Sequence, residues 1–303
     1  MSRPKPAIRL RGVTKQFGSF IAASDISFTV PSGQIVGFVG ANGAGKTTTI
    51  SMLLGFISAT EGVVEIFGRP MQPSNAHASH QAIGYASGDM ELPGQLTGAQ
   101  YLAFVRAQRG NVSDGQLDAV VSSLRPQLDK KIHTLSRGNK QKIALAAAFL
   151  GEPELIVLDE PTSGLDPVMQ DVFLDMVRAH KQAGKTVFMS SHYLQEVMDV
   201  CDRVMLMSHG TVVEDVLTSQ LQELGGKHIQ VATGYKPTKP PKGAESVERT
   251  YENGEARLSF VYKGDMGQLQ RWIAALKQLN DIEVSEYNLE GAFKSLYESE
   301  DTQ

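Results

Sequence analysis

An α/β fold, built on a mostly parallel sheet with an added antiparallel layer, is what three features of this 303-residue chain predict. The run IVGFV at 35–39 is apolar at strand length and passes through a glycine-rich turn directly into a helix start at Lys46-Thr47. Leu155-Ile156-Val157-Leu158 is wholly apolar, as a strand covered on both faces of a parallel sheet must be. Residues 7–13 and 25–30 instead alternate, with Ile26, Phe28 and Val30 on one side, which fits antiparallel strands buried on one face.

The turn after the first apolar run reads GANGAGKT at 40–47, a P-loop in the strand-turn-helix context that the motif requires. Gly40, Gly43 and Gly45 let the backbone fold tightly and aim successive N–H groups at a polyphosphate, aided by the positive end of the next helix. A helix terminus alone supplies about 0.3–1 kcal/mol, so charge-assisted bonds from Lys46 and the loop amides dominate phosphate affinity. The Thr47 hydroxyl is placed to ligate Mg²⁺.

The remaining elements follow in order. Phe17-Gly18 lies between the two alternating strands, and on residue type alone Phe17 reads either as core or as a platform for an adenine ring. Glu61-Gly62 opens a strand at Val63–Phe67, and a polar loop with His77 and His80 spans 71–82, a solvated stretch given no metal. A strand at Ile83–Ala86 leads through Ser87-Gly88-Asp89 to helices at about Thr97–Arg109 and Asp114–Leu124, the second broken at Pro126. These form a helical insertion at about 90–135. An alanine-rich helix is expected over about Lys140–Leu150, where Ala144, Ala146, Ala147 and Ala148 imply close packing.

The apolar strand at 155–158 delivers Asp159-Glu160 to its carboxyl end, the edge of an open α/β sheet where ligands sit. Asp159 suits direct or water-mediated Mg²⁺ coordination, and Glu160 can orient or deprotonate an attacking water. Pro161–Pro167 is a turn into a helix at Val168–Gln182, followed by a strand at Thr186–Met189 and then Ser190-Ser191-His192. His192 reads either as structural or as a phosphate sensor. A helix at Tyr193–Val200 and a hairpin of Arg203–Met207 with Thr211–Asp215 complete the first unit, 7–225. Residues 226–303 form a small α+β appendage: a proline-rich linker at 234–243, a strand at Ala256–Tyr262, a helix at Gly267–Leu279, a strand at Ile282–Ser285 and a last helix at about Leu289–Glu298.

Composition narrows the function classes. With 41% hydrophobic and 20% charged residues the chain is that of a globular protein, and its net charge of -4 lacks the basic footprint of a nucleic-acid binder. No apolar run nears the roughly 18 residues that span a bilayer, and MSRPKPAIRL lacks the apolar core of a signal peptide, so the expected location is the cytoplasm. The single Cys201 excludes an internal disulfide and reads as a core thiol.

Over roughly residues 7–225 the sequence resembles the ATPase subunit of an ATP-binding cassette (ABC) transporter, with the family's motifs in order. Gly40–Thr47 resembles its Walker A, which implies that Gly40, Asn42, Gly43, Ala44, Gly45, Lys46, Thr47 and the adjacent Thr48 hold ATP and that Thr47 and Asp159 hold Mg²⁺. LSRGNKQ at Leu135–Gln141 resembles the signature, Leu155–Glu160 the Walker B with catalytic Glu160, Ser163–Asp166 the D-loop and His192 the switch histidine. Phe17 falls where the family places its adenine-stacking aromatic. The resemblance implies a head-to-tail pair, in homodimer form, with Ser136 and the Gly138 amide reaching the partner's ATP. It also implies an integral membrane permease of the ABC-2 type, commonly an exporter, and hence a peripheral place on the inner membrane face.

Two positions depart from the family pattern. Gly88 stands where a glutamine often follows the strand, so the adjacent Asp89 is expected to take over part of the contact to Mg²⁺ or water. Arg137 stands where glycine is common and is expected to face solvent rather than act as an arginine finger. The competing class is a soluble ABC-type ATPase acting on ribosomes or nucleic acid. Those that act on ribosomes carry two cassettes and those that repair DNA a long coiled coil, neither of which fits one Walker A and no sustained heptads. A P-loop kinase would lack the signature and D-loop.

Overall fold

The computed structural model describes residues 6–89, 91–110, 112–220, 226–234, 239–252 and 255–286. The chain opens on a hairpin, β1 (Ile8–Phe17) and β2 (Phe20–Val30), in antiparallel register from Ile8 opposite Val30 to Phe17 opposite Phe20. β3 (Ile35–Val39) leads to α1 (Lys46–Leu53), and β4 (Glu61–Ile66) with β5 (Arg69–Pro70) returns to the hairpin, giving an antiparallel sheet β2-β1-β4-β5. The 71–82 stretch, expected as a polar loop, holds a short helix α2 (His77–His80). Its His80 Nε2 sits 2.8 Å from the Leu54 carbonyl, so this histidine ties α2 to the end of α1.

β6 (Ile83–Ser87) precedes the insertion, α3 (Gly98–Arg109) and α4 (Asp114–Leu124). Each helix starts in a capping box, Thr97 with Gln100 and Ser113 with Gln116, so two otherwise orphaned amides are satisfied at each start. α5 (Arg137–Phe149) begins earlier than the expected Lys140, because the Ser136 side chain caps it. Its alanines are buried, and at Gly84 a Cβ would lie 2.0 Å from the Ala148 carbonyl oxygen, so β6 and α5 approach as only glycine permits.

β7 (Leu155–Asp159), α6 (Pro167–Gln182), β8 (Thr186–Ser191), α7 (Leu194–Met198), β9 (Arg203–Ser208) and β10 (Thr211–Leu217) complete the central sheet. Its order is β10-β9-β3-β8-β7-β6, with β9, β3, β8, β7 and β6 parallel. Every residue of β3, β7 and β8 is buried, which accounts for the apolar runs at 35–39, 155–158 and 187–189. The two sheets share one core, in which Phe28 of β2 packs against Phe38 of β3 and Phe188 of β8 with ring centroids 6.2 and 5.9 Å apart. Cys201 is buried after α7, its Sγ near Gly37 of β3, and burial pushes its thiol pKa well up.

His180, near the end of α6, is buried edge-on against Phe149 at 5.7 Å, and among the described residues its Nε2 has no hydrogen-bond partner. Burial lowers its pKa to about 4, opposed by a bond to the Pro153 backbone and helped by nearby Lys185. A folded-state value below the usual 6.5 means that the neutral ring stabilises the fold above pH 6.5 and that this contribution is lost as pH falls from 6.5 toward 4. Urea unfolding at pH 7.5 and pH 5 is therefore expected to show a loss on the order of 2 kcal/mol in the wild type. His180→Leu should lose much less over the same interval. Equal pH dependence of the two proteins would show that this ring does not titrate with unfolding.

The chain divides into two compact units, Met1–Val216 and Leu217–Gln303, a boundary ahead of the expected 225. The second holds an antiparallel sheet β12-β13-β11-β14 formed by β11 (Lys227–Thr233), β12 (Ala244–Glu252), β13 (Glu255–Tyr262) and β14 (Leu279–Glu286), with α8 (Met266–Ala274) between the last two strands. Ile229, Val231, Leu258, Phe260 and Tyr262 form its core with Leu269 of α8. Here β11 and β12 are additions to the sequence reading, and the helix expected to reach Leu279 ends at Ala274. The helix expected at 289–298 lies outside the described residues.

Candidate active site

β3 delivers the loop 40–45 to the first turn of α1, and two glycines are required there. A Cβ on Gly40 would lie 2.5 Å from the Met207 carbonyl oxygen, and one on Gly45, at φ +104°, would lie 2.3 Å from that of Ala22. Among the described residues no side chain caps α1, so its leading amides are left to donate to a phosphate. Gly43 sits at φ +85° with nothing near its missing Cβ, Ala44 is buried, and Asn42 and Thr47 are exposed.

Lys46, only 6% exposed, folds back over this loop. Its Nζ donates to the carbonyls of Gly40 at 2.6 Å and Ala41 at 3.2 Å, and it lies 3.3 Å from Glu160 Oε1 as an ion pair. Thr47 Oγ1 donates to Asp159 Oδ2 at 2.8 Å, while the buried Ser190 hydroxyl donates to Oδ1 at 2.5 Å. These hard oxygens, one hydroxyl and one carboxylate, are the donor set that suits Mg²⁺.

Ser190 does a second thing. Its Oγ accepts the Glu160 amide at 3.0 Å, holding Glu160 at φ +51°, a left-handed conformation that costs a non-glycine residue about 1–2 kcal/mol. Glu160 Oε2 meets His192 Nδ1 at 2.6 Å, and the Tyr193 ring packs on His192 with centroids 3.9 Å apart. Glu160 Oε1 has the Lys46 ammonium 3.3 Å away as an ion pair and, among the described residues, no further partner, so one carboxylate oxygen retains acceptor capacity. Lys46, Thr47, Asp159, Glu160 and His192 thus join in one network at the carboxyl ends of β3, β7 and β8.

The sequence singles out neither Ser190, which joins that network, nor Glu196 of α7, which lies beside it and accepts the Thr162 hydroxyl at 3.0 Å and the Ser191 hydroxyl at 2.9 Å. Successive strand residues point to opposite faces, which is why Ser190 reaches Asp159 and Ser191 reaches Glu196. Residue type alone distinguishes neither serine.

Phe17 is not core: it is 49% exposed at the hairpin end, with Lys15 Nζ 4.8 Å from the ring centroid. β2 continues from that hairpin to pass beside the P-loop at Ala22. Ser136 and Gly138 belong to a separate cluster, where the Ser136 Oγ accepts the Asn139 amide at 3.4 Å and a Cβ on Gly138 would lie 2.7 Å from the Gly164 carbonyl oxygen. Arg137 is exposed, as expected, and its Nη2 also donates to Asp89 Oδ1 at 2.9 Å, so the Asp89 carboxylate turns to Arg137 rather than to Thr47 and Asp159.

Parallel sheet, P-loop and the acidic end of β7 place the protein among the P-loop ATPases. A family model described as ABC transporter matches residues 23–163. The chain is 32% identical to the bacitracin transport ATP-binding protein BcrA of Enterococcus faecalis over 302 residues, covering 95% of this chain and 96% of that protein. It is 34% identical to the Nod factor export ATP-binding protein I of Bradyrhizobium diazoefficiens over 221 residues, 71% of this chain and 72% of that one. A bacterial ABC transporter cassette solved as a dimer superposes with a TM-score of 0.64 at 22% identity, covering 70% of this chain and 98% of that one, a likeness of fold. The chain belongs to the ATP-binding, ATP-hydrolysing subunits of ABC transporters.

Proposed function

We propose that this subunit pairs head to tail with a second copy around two ATP and Mg²⁺, and that closing and opening of the pair drives export through a separate integral membrane permease. The observation that carries the chemistry is the bonded network Lys46–Glu160–His192 joined to Thr47–Asp159–Ser190. Mg²⁺ held by Thr47 and Asp159 would neutralise charge on the β- and γ-phosphate oxygens. Lys46 binds the same phosphates, exchanging Glu160 for a γ-oxygen. Glu160 then takes the proton of a water whose oxygen attacks phosphorus while the bond to ADP breaks. His192 fixes the Glu160 carboxylate and senses the γ-phosphate, and Phe17 offers its exposed ring to the adenine.

The pairing is supported by Ser136 and Gly138 at the start of α5, a helix start suited to an anion, which among the described residues makes no bond to Lys46, Thr47, Asp159, Glu160 or His192. The cassette solved as a dimer and the relatives named for bacitracin transport and Nod factor export support the dimer and the export direction. Among the described residues no helix is long and apolar enough to cross a membrane. In this reading the subunit sits on the cytoplasmic face through its permease, and ATP hydrolysis shifts the population of closed pairs.

Mixed dimers test the arrangement. With Lys46→Ala and Ser136→Arg on one subunit and a wild-type partner, each site receives one defective half, and no ATP should be occluded. With one lesion on each subunit, both defects fall in one site and the other is intact, so one ATP per dimer should be occluded. Equal occlusion in the two arrangements would overturn the head-to-tail pairing.

A further inference from the structure

Three segments meet at Arg137. The first is the loop leaving β6, pressed so close to the exit of β7 that the Gly88 amide donates to the Asp159 carbonyl at 2.8 Å. A Cβ at position 88 would lie 2.7 Å from the Glu160 carbonyl oxygen and 2.9 Å from Ser163 Cβ, so residue 88 can bring no side chain to fasten this loop. The second is the turn after Glu160, and the third is the start of α5. Gln141 Nε2 donates to the Pro161 carbonyl at 2.8 Å, and Gly138 abuts Gly164, so α5 and the turn are already joined. The loop at 87–89 joins them through Arg137. Its stem lies along Gly164, where a Cβ would come within 3.2 Å of Cγ, and Nη2 donates to both Asp89 Oδ1 at 2.9 Å and Ser163 Oγ at 2.8 Å.

We propose that Arg137 is a positioning residue: paired with Asp89, it locks the loop after β6 to the Ser163–Gly164 turn and so fixes the orientation in which the α5 start presents Ser136. This rests on the head-to-tail reading and deepens it. The side chains of Arg137 and Asp89 are 61% and 90% exposed, so in water their ion pair contributes little to the stability of one subunit. A partner covering this face removes that water, and an unmatched charge then becomes costly. The tether therefore acts on closing and turnover rather than on folding. It also directs the guanidinium into its own subunit, which distinguishes it from an arginine finger reaching across.

The test is a double-mutant cycle in the full chain with Arg137→Met, which keeps the stem over Gly164, and Asp89→Asn. Turnover should fall about tenfold in each single variant and no further in the double, as for residues in direct contact. ATP affinity, read with a fluorescent nucleotide, and the unfolding temperature should stay at wild-type values. Arg137→Lys, whose ammonium can still meet Asp89, should recover part of the turnover. Single variants within twofold of wild type, or losses that multiply in the double, overturn the proposal; an arginine finger would spare Asp89→Asn. A failure of the underlying reading shows separately, as absence of an ATP-dependent dimer in Glu160→Gln protein, whereas the cycle is read on turnover of the purified chain and decides the tether either way.

Discussion

Lys46→Ala is expected to weaken ATP binding by about tenfold to hundredfold, the range of one charge-assisted hydrogen bond, and to remove measurable hydrolysis. The loss has two parts. Lys46 is a nearly dry cation at the loop, and its three oxygen neighbours, the carbonyls of Gly40 and Ala41 and the carboxylate of Glu160, show that it is oriented before any phosphate arrives. Removing it also leaves the Glu160 charge, on a side chain 25% exposed, facing an incoming polyphosphate with no cation between them. Titration with a fluorescent ATP analogue and a phosphate-release assay measure both effects. Affinity within twofold of wild type would place the phosphates elsewhere.

Much of the site is legible in the sequence because its elements carry strong local signals. Gly40, Gly43, Gly45 and Lys46 occupy a motif whose spacing is fixed by the turn, and the burial of β7 on both faces leaves Asp159-Glu160 as the first polar residues after an apolar run. What the sequence hides is who holds whom. Ser190 and Ser191 are adjacent and identical, and only the strand alternation sends one to Asp159 and the other to Glu196. Arg137 and Asp89 are far apart in the chain, and nothing local to either position signals that Gly88 lets their segments close to bonding distance.

The second unit shows a different limit. β12 is an edge strand whose Glu245, Ser246, Val247, Glu248, Arg249, Thr250 and Tyr251 are exposed, so no buried face exists to impose a period of two. β11 does alternate, with Ile229 and Val231 buried, but it offers only these two large apolar residues before Ala232 and Thr233. The helix α8 ends at Ala274 although Leu276 continues its apolar face, because Leu276 packs into the core from the turn and the chain must reach β14 at Leu279. Periodicity therefore overstates a helix whose neighbour in sequence is a strand sharing the same core.

Glu160→Gln is expected to lower turnover by about a hundredfold to ten-thousandfold, the usual share of a general base, while leaving ATP affinity at or above that of the wild type. The amide preserves shape, and the backbone bond from residue 160 to Ser190 Oγ does not depend on the side chain, so the strained φ of +51° should survive. What changes is proton affinity: an amide cannot accept the proton of the attacking water, and it no longer pairs with Lys46, which is left wholly to the phosphates. His192 Nδ1, now 2.6 Å from a carboxylate oxygen, keeps a possible acceptor in the amide oxygen. Binding without turnover should accumulate the ATP-bound pair, seen by size-exclusion chromatography as a species of twice the subunit mass that persists with ATP and disappears with ADP. Two results would count against Glu160 as the base: turnover reduced less than tenfold, or ATP affinity that collapses together with turnover.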